Sequence, residues 1–393
     1  MVRREQHAVV DHVPSLLNFD ILRTFKFLVL PTSTPKNGLR PYHRVESRRI
    51  FISGVVTLDG IHEERVTAWF KEHVTNLKSP LSFELISGGK SNLTYQVDDA
   101  AGKSFVLRRP PLGHVLESAH DMHREHWIIS SLYDTDVPVA KTYGLCQDKD
   151  VNDADFFVME CIAGTVVHDV DSVEKISNEN RYSFGKHVAE VLVALHRIEP
   201  SDVGLGDLGR REKFLDRQLK RWTGQWEATK THPEPEMDQL LRLLHKLKPE
   251  QIGSTIVHGD YRAGNLMHKN GKVAAVFDWE LCTLGDPLAD VGYLLNSWQT
   301  AEEVEELSGT SVPTAAVGFP TRDELIDWYA TGTGRDLSKI NYYRAFSHWR
   351  LGCIMQGVYK RFLEGAMGDQ DMDLEGYRAG IKRAATNALE LLE

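Results

Sequence analysis

The sequence predicts an α+β protein in two parts, a small β-rich one first and a larger helical one after it. Two observations carry this. Short apolar runs bounded by turn residues crowd the stretch from 83 to 160, and beyond about 164 helical periodicities take over. Composition agrees with both: 393 residues, 41% hydrophobic and 26% charged, suffice for two cores. No run approaches the ~18 apolar residues needed to cross a bilayer.

The elements follow in order. Residues 1–56 carry Pro14, Pro31, Pro35 and Pro41 and no sustained periodicity, so a weakly structured extension is expected there. A helix is expected from His62 to Leu77, then strands at Phe83–Ile86, Thr94–Val97 and Ser104–Arg108, a helix at Leu116–Tyr133, and strands at Tyr143–Gln147 and Phe156–Glu160. The small lobe is therefore drawn over 57–160, as a five-stranded antiparallel sheet with its helices, and the large lobe over 161–393. In the large lobe, apolar spacing predicts helices at Tyr182–Ile198, Glu236–Leu247, Asp286–Ser297, Arg322–Tyr329 and Ile340–Phe362. Only Ile256–Val257 and Val273–Phe277 read there as strands. Each runs straight into acidic, polar residues.

Charge narrows the partners. The net charge of −10 divides into +5 over residues 1–56 and −15 over the rest. An acidic body does not suit a phosphate backbone, so nucleic acid is excluded as its main partner. A small molecule is expected instead, and the acidic large lobe would suit a cationic one. The four cysteines, Cys146, Cys161, Cys282 and Cys353, are widely spaced, which fits a reducing compartment and the cytoplasm. The basic leader also has the character of an organelle transit segment, and an over-long translation start would account for it as well.

The strongest local signal is His258-Gly259-Asp260-Tyr261-Arg262-Ala263-Gly264-Asn265, with Asp278 at the end of the next expected strand. An aspartate and an asparagine five apart, joined by a second aspartate, make the acceptor cluster that phosphoryl transfer needs: a carboxylate for a hydroxyl proton and oxygen ligands for Mg²⁺. In the small lobe, Ser87-Gly88-Gly89-Lys90-Ser91-Asn92 lies between two strands, where glycines let backbone N–H groups approach phosphate. Glu84 stands where a Walker A loop needs glycine, so that reading fails. Alternation puts Val106 and Arg108 on one strand face and Arg109 on the other. Glu125, three residues after Met122 and four before Ile129, falls on the inward face of its helix. A buried carboxylate there requires a cation, and Arg108 is the natural one.

In these motifs the chain resembles the aminoglycoside phosphotransferase and choline kinase branch of the protein-kinase-like superfamily, over roughly Phe83 to Phe362. The resemblance implies a two-lobed kinase-like fold that uses ATP, or GTP, with Mg²⁺ to phosphorylate a small-molecule hydroxyl. It makes Asp260 the catalytic base, Asn265 and Asp278 the metal ligands, and His258 a prop for the loop. Arg262 either stabilises the transferred phosphoryl group or pairs with Asp278 or Glu280. Nucleotide would be held by Gly88, Gly89, Ser91 and Asn92 in a flap, by Val106 against the adenine, by Arg108 in the position kinases give to lysine, with Glu125 as its partner, and by the hinge Met159-Glu160-Cys161. Asp286 reads as a helix cap before Pro287, and Asp290 as a tie to the catalytic loop. His120, His123 and His126 diverge around a helix and make a poor metal site.

A narrower resemblance lies in Val106-Leu107-Arg108-Arg109-Pro110-Pro111, Arg262, and Asn341 to Leu351. These are similar to kinase-like domains fused to acyl-CoA dehydrogenases, which points to a hydroxyl-bearing metabolite such as a hydroxyacyl-CoA, with an amino alcohol as the alternative. The rival reading is a silent pseudokinase that binds nucleotide or a protein partner, and arginine in place of lysine at Arg108 is the feature in its favour.

Overall fold

The computed structural model of the chain describes residues 49–52, 55–87, 92–112, 121–300, 303, 312–365 and 373–393. A hairpin of β1 (Arg49–Ile52) and β2 (Val55–Leu58) crosses the boundary drawn at 56. The leader before it lies outside the described residues, as do Gly88, Gly89, Ser91 and the first turn expected of the helix at 116. Helix α1 (Glu63–His73) is shorter than expected. Glu63 and Glu64 in its first turn and Lys71 and His73 in its last complement the helix dipole.

The small lobe is a five-stranded antiparallel sheet, β3 (Ser82–Ser87), β4 (Leu93–Asp98), β5 (Ser104–Arg109), β6 (Thr142–Cys146) and β7 (Phe156–Glu160), in the order β3-β4-β5-β7-β6. Its two faces have different fates. Phe105 and Leu107 of β5 and Val158 of β7 pack against Trp69 and Phe70 of α1 and close the small lobe's own core. Val106 and Met159, paired across β5 and β7, turn the other way and join a core continuous with the large lobe. Between β5 and β6, α2 (Met122–Leu132) starts at Asp121, whose side chain accepts the Arg124 N–H at 2.9 Å. Phe70 and Phe105 are fully buried, so truncating either should cost about 3–5 kcal/mol.

The large lobe is helical: α3 (Asn178–Arg197), α4 (Phe214–Thr229), α5 (Pro235–Leu247), α6 (Leu288–Ser297), α7 (Arg322–Thr333), α8 (Ile340–Leu363) and α9 (Leu374–Glu390). Helices α4 and α9 are additional to the sequence reading. So are three short strands. After β8 (Thr165–Val166) and β9 (Thr255–Val257), β10 (Leu266–Lys269) pairs with both β8 and β11 (Lys272–Val276), and β12 (Thr283–Gly285) pairs with β9. Among the described residues no helix is long and apolar enough to span a membrane.

Candidate active site

The segment from β9 to α6 folds into two loops held side by side. Gly259 has φ +85°, and a Cβ there would stand 2.8 Å from the Leu281 carbonyl oxygen, so only glycine lets the first loop lie against the second. His258 and Gly259 donate their backbone N–H groups to the two carboxylate oxygens of Asp290 at 2.7 and 2.8 Å. Burial raises the Asp290 pKa by itself, but the His196 imidazole at 3.3 Å and these N–H donors outweigh it and hold the carboxyl ionised. His196 in turn meets the Tyr329 hydroxyl at 2.7 Å.

His258 is buried, and burial lowers its pKa, so it is a neutral ring; Nε2 lies 2.9 Å from the Phe277 carbonyl, and Nδ1 accepts the Asp260 N–H at 3.2 Å. It is the expected prop. Asp286 accepts the Leu288 N–H at 3.0 Å and the Tyr343 hydroxyl at 2.7 Å, fixing the start of α6 as a cap would.

Asp260 is buried, and the Asn265 side-chain amide donates to its carboxylate at 2.7 Å and to its main-chain carbonyl at 2.9 Å. The Phe277 N–H, one residue before Asp278, donates to the Asn265 main-chain carbonyl at 2.9 Å and joins the two loops. Asp278 sits in the left-handed region at φ 65°, an uncommon place for a residue other than glycine and one frequent at functional sites. Arg262 forms an ion pair with Asp260 itself, Nε to Oδ2 3.5 Å, a partner that the sequence reading did not include. The reason is local: the chain turns through a 3₁₀ segment at Ala263–Asn265, which folds the guanidinium back over Gly264.

Across the cleft the expected pair is present. Arg108 Nε lies 2.9 Å from Glu125 Oε2, with Glu125 only 4% and Arg108 16% exposed, and Arg108 Nη2 reaches Asp278 Oδ1 at 3.6 Å. Glu125, Arg108 and Asp278 thus form one line from α2 through β5 to the second loop. Arg109 points to the opposite face and bonds the Gly60 carbonyl. At the hinge, Met159 is buried beside Val106, whereas the Glu160 N–H is taken by the Lys141 carbonyl at 2.8 Å and is unavailable to an adenine edge. Asn92 is buried at the base of the β3–β4 turn. Among the described residues no cluster of three or more His, Cys, Asp or Glu side chains could hold a metal. His120 lies outside them, and His126 packs on Phe157.

A cavity of about 1120 Å³, counting its open mouth, lies beside Arg262 and Gly264 and is closed by α6, α8 and α9. None of the described residues lining it is aspartate or glutamate; it presents Arg262, Arg383, His168 and His348 among apolar side chains such as Met355 and Leu351. The acidity of the large lobe is not gathered at this cavity. Tyr293 lines it as well, and burial together with the Asp260 carboxylate pushes its phenol pKa well up, which keeps the hydroxyl protonated. The sequence reading missed Tyr293. One helical turn after Asp290, among Val291, Leu294 and Leu295, it reads as core.

Comparison with known proteins follows the same lines. The profile of a phosphotransferase enzyme family matches residues 82–314. Mouse acyl-CoA dehydrogenase family member 10 is 34% identical over 295 residues, 74% of this chain, and mouse acyl-CoA dehydrogenase family member 11 is 32% identical over 313 residues, 77% of this chain. The chain spans only 27% and 40% of those relatives' lengths. A crystal structure from Ralstonia eutropha, assigned as an aminoglycoside phosphotransferase, superposes with a TM-score of 0.71 at 32% identity, covering 84% of this chain and 97% of that one. A choline/ethanolamine kinase family protein from Mesorhizobium loti, 14% identical, shares the fold at a TM-score of 0.54, covering 83% of this chain and 95% of that one. With the family profile running from the first strand of the small-lobe sheet past the helix that carries Asp290, the chain belongs to the phosphotransferase enzyme family and has its two-lobed kinase-like fold.

Proposed function

We propose that the chain transfers the γ-phosphoryl group of Mg·ATP to a hydroxyl of a small molecule that is neutral or anionic and partly apolar. The observation that carries this reading is the set of contacts around Asp260: a buried carboxylate held by Asn265 and by Arg262, which lines the first cavity, with Arg108 and Asp278 on the nucleotide side. Asp260 accepts the acceptor's hydroxyl proton as its oxygen bonds to the γ-phosphorus. The bond from that phosphorus to the β–γ bridging oxygen breaks, and ADP leaves. Arg262 and Arg108 oppose the negative charge on the moving group and on the departing phosphates. Val106 and Met159 offer an apolar wall to the base.

The Asp278 carboxylate and the Asn265 amide oxygen are hard oxygen donors, the type Mg²⁺ prefers, and two protein ligands are enough when phosphates and waters complete the shell. When bound, the ion neutralises triphosphate charge. Arginine at 108 keeps the pairing with a helix glutamate that kinases make with lysine, and its fork can bridge carboxylate and phosphate together.

The acceptor reading rests on the cavity lining. A polycation such as an aminoglycoside requires carboxylates, and a choline-like amine requires a carboxylate or an aromatic cage. A chain with an apolar stem, a hydroxyl and an anionic or thioester end fits better, which favours a hydroxyacyl thioester such as a hydroxyacyl-CoA. The test is ADP release by the wild-type protein with Mg·ATP against hydroxyacyl thioesters, amino alcohols and aminoglycosides in parallel. Acceptor-dependent turnover with the first group is expected. Higher kcat/KM for choline or kanamycin would refute the acceptor assignment.

A further inference from the structure

A second cavity, about 660 Å³ with its mouth, lies on the α4 side of the catalytic loop and contains none of the residues assigned to nucleotide. Two guanidinium groups face it. Arg221 lies 5.3 Å and Arg350 5.8 Å from the centre of the Trp222 ring, so one indole holds both. Arg350 also donates to the Gly259 carbonyl at 2.8 Å, next to Asp260. Arg221 forms no hydrogen bond or ion pair with any described residue; burial and the like charge of Arg350 both lower its pKa. The only carboxylate among the described lining residues is Asp290, and its two oxygens are committed to the His258 and Gly259 N–H groups. Two half-buried arginines lining one cavity gather positive charge there with no free carboxylate among the described lining residues, and an anion in the cavity removes that cost.

We infer that Arg221 and Arg350 form a binding site for a phosphate-type oxyanion, distinct from the nucleotide cleft and in contact with the catalytic loop through Arg350. The remaining lining suits several oxygens better than one carboxylate. Gln218 accepts the Trp222 Nε1–H through its side-chain oxygen at 3.2 Å, which leaves its NH₂ as a donor, and Thr283 and Ser347 also line the cavity. The oxyanion is either free phosphate or the phosphate of a phosphomonoester.

The test is calorimetric titration of the full chain with inorganic phosphate and, separately, with glycerol 3-phosphate, in chloride buffer. A site is expected whose affinity falls at least tenfold in R221Q, about 1.4 kcal/mol, and is unchanged in R108A. Q218E adds a carboxylate beside both arginines without removing either, and gives the same loss should R221Q fail to fold. Equal affinity for the two ligands assigns the site to free phosphate, and tighter glycerol 3-phosphate assigns it to a phosphomonoester. Phosphate binding that R221Q and Q218E leave intact, or that only R108A abolishes, overturns the inference.

Discussion

Replacing Arg108 by alanine probes the link between stability and nucleotide binding most sharply. Glu125 is 4% exposed and bonded to Arg108 at 2.9 Å. Removing the guanidinium leaves a carboxylate in the seam between β5 and α2, where breaking a buried pair costs about 3–5 kcal/mol. Glu125→Gln alone should cost less, about 1–2 kcal/mol, because Arg108 keeps Asp278 at 3.6 Å and the new amide still offers an oxygen. In the double variant no buried charge is stranded. Its loss should be about 2 kcal/mol, well short of the sum, for a coupling of roughly 2–5 kcal/mol. Urea titrations followed by tryptophan fluorescence read this directly. Nucleotide affinity should stay low in both Arg108 variants, since the phosphate contact is lost in each. Single losses that add to within about 0.5 kcal/mol would show that the two residues do not interact and would refute the reasoning.

Asp260→Asn should lower the transfer rate ~10²- to 10⁴-fold with nucleotide affinity nearly unchanged, measured by ADP release and by nucleotide titration. Asp278→Ala should remove the Mg²⁺-dependent part of nucleotide affinity; an unchanged Mg²⁺ effect would make Asp278 a turn residue only. His348 has its pKa lowered from 6.5 to about 4, by burial first and then by Arg344 and Arg322. Between those values the unfolded chain binds the proton and the folded one does not, so His348 contributes stability above about pH 6.5 that is lost as pH falls toward 4. His348→Gln should flatten that part of a melting-temperature profile taken from pH 4.5 to 7.5.

How far the site was legible depended on whether its residues are neighbours in the chain. Asp260, Arg262 and Asn265 lie within one loop, and Asp278 ends the next strand, so spacing alone exposes them. Arg108 and Glu125 are far apart in sequence, yet each betrays itself by a charge at an inward phase of a regular element. Tyr293, His348, Arg221 and Arg350 give no such sign, since each meets the catalytic loop or its cavities only through tertiary packing. The Arg262–Asp260 pair was illegible for another reason: it forms where the chain turns through the 3₁₀ segment at Ala263–Asn265, which spacing does not announce.

The fold divides in the same way. Long periodic helices such as Asn178–Arg197 were drawn within a few residues of their ends. Strands of two or three residues, β8 and β12, are too short for alternation to show. β10 did carry a signal. Asn270 and Gly271, with φ of 51° and 74°, form the type I′ turn that an Asn-Gly pair announces. Helix α4 also keeps helical spacing in Leu215, Leu219, Trp222 and Trp226, next to the charged run at 210–213.

The central claim is that this chain moves a phosphoryl group from nucleotide to a carbon-borne hydroxyl with Asp260 as base. The most direct test is ³¹P NMR of the wild-type protein and Asp260→Asn, each incubated with Mg·ATP and a pool of hydroxyacyl thioesters. A new phosphomonoester resonance growing with ADP in the wild type, and absent from Asp260→Asn, is the predicted result. Bound nucleotide with no new phosphomonoester in either protein, or equal transfer by both, would contradict it.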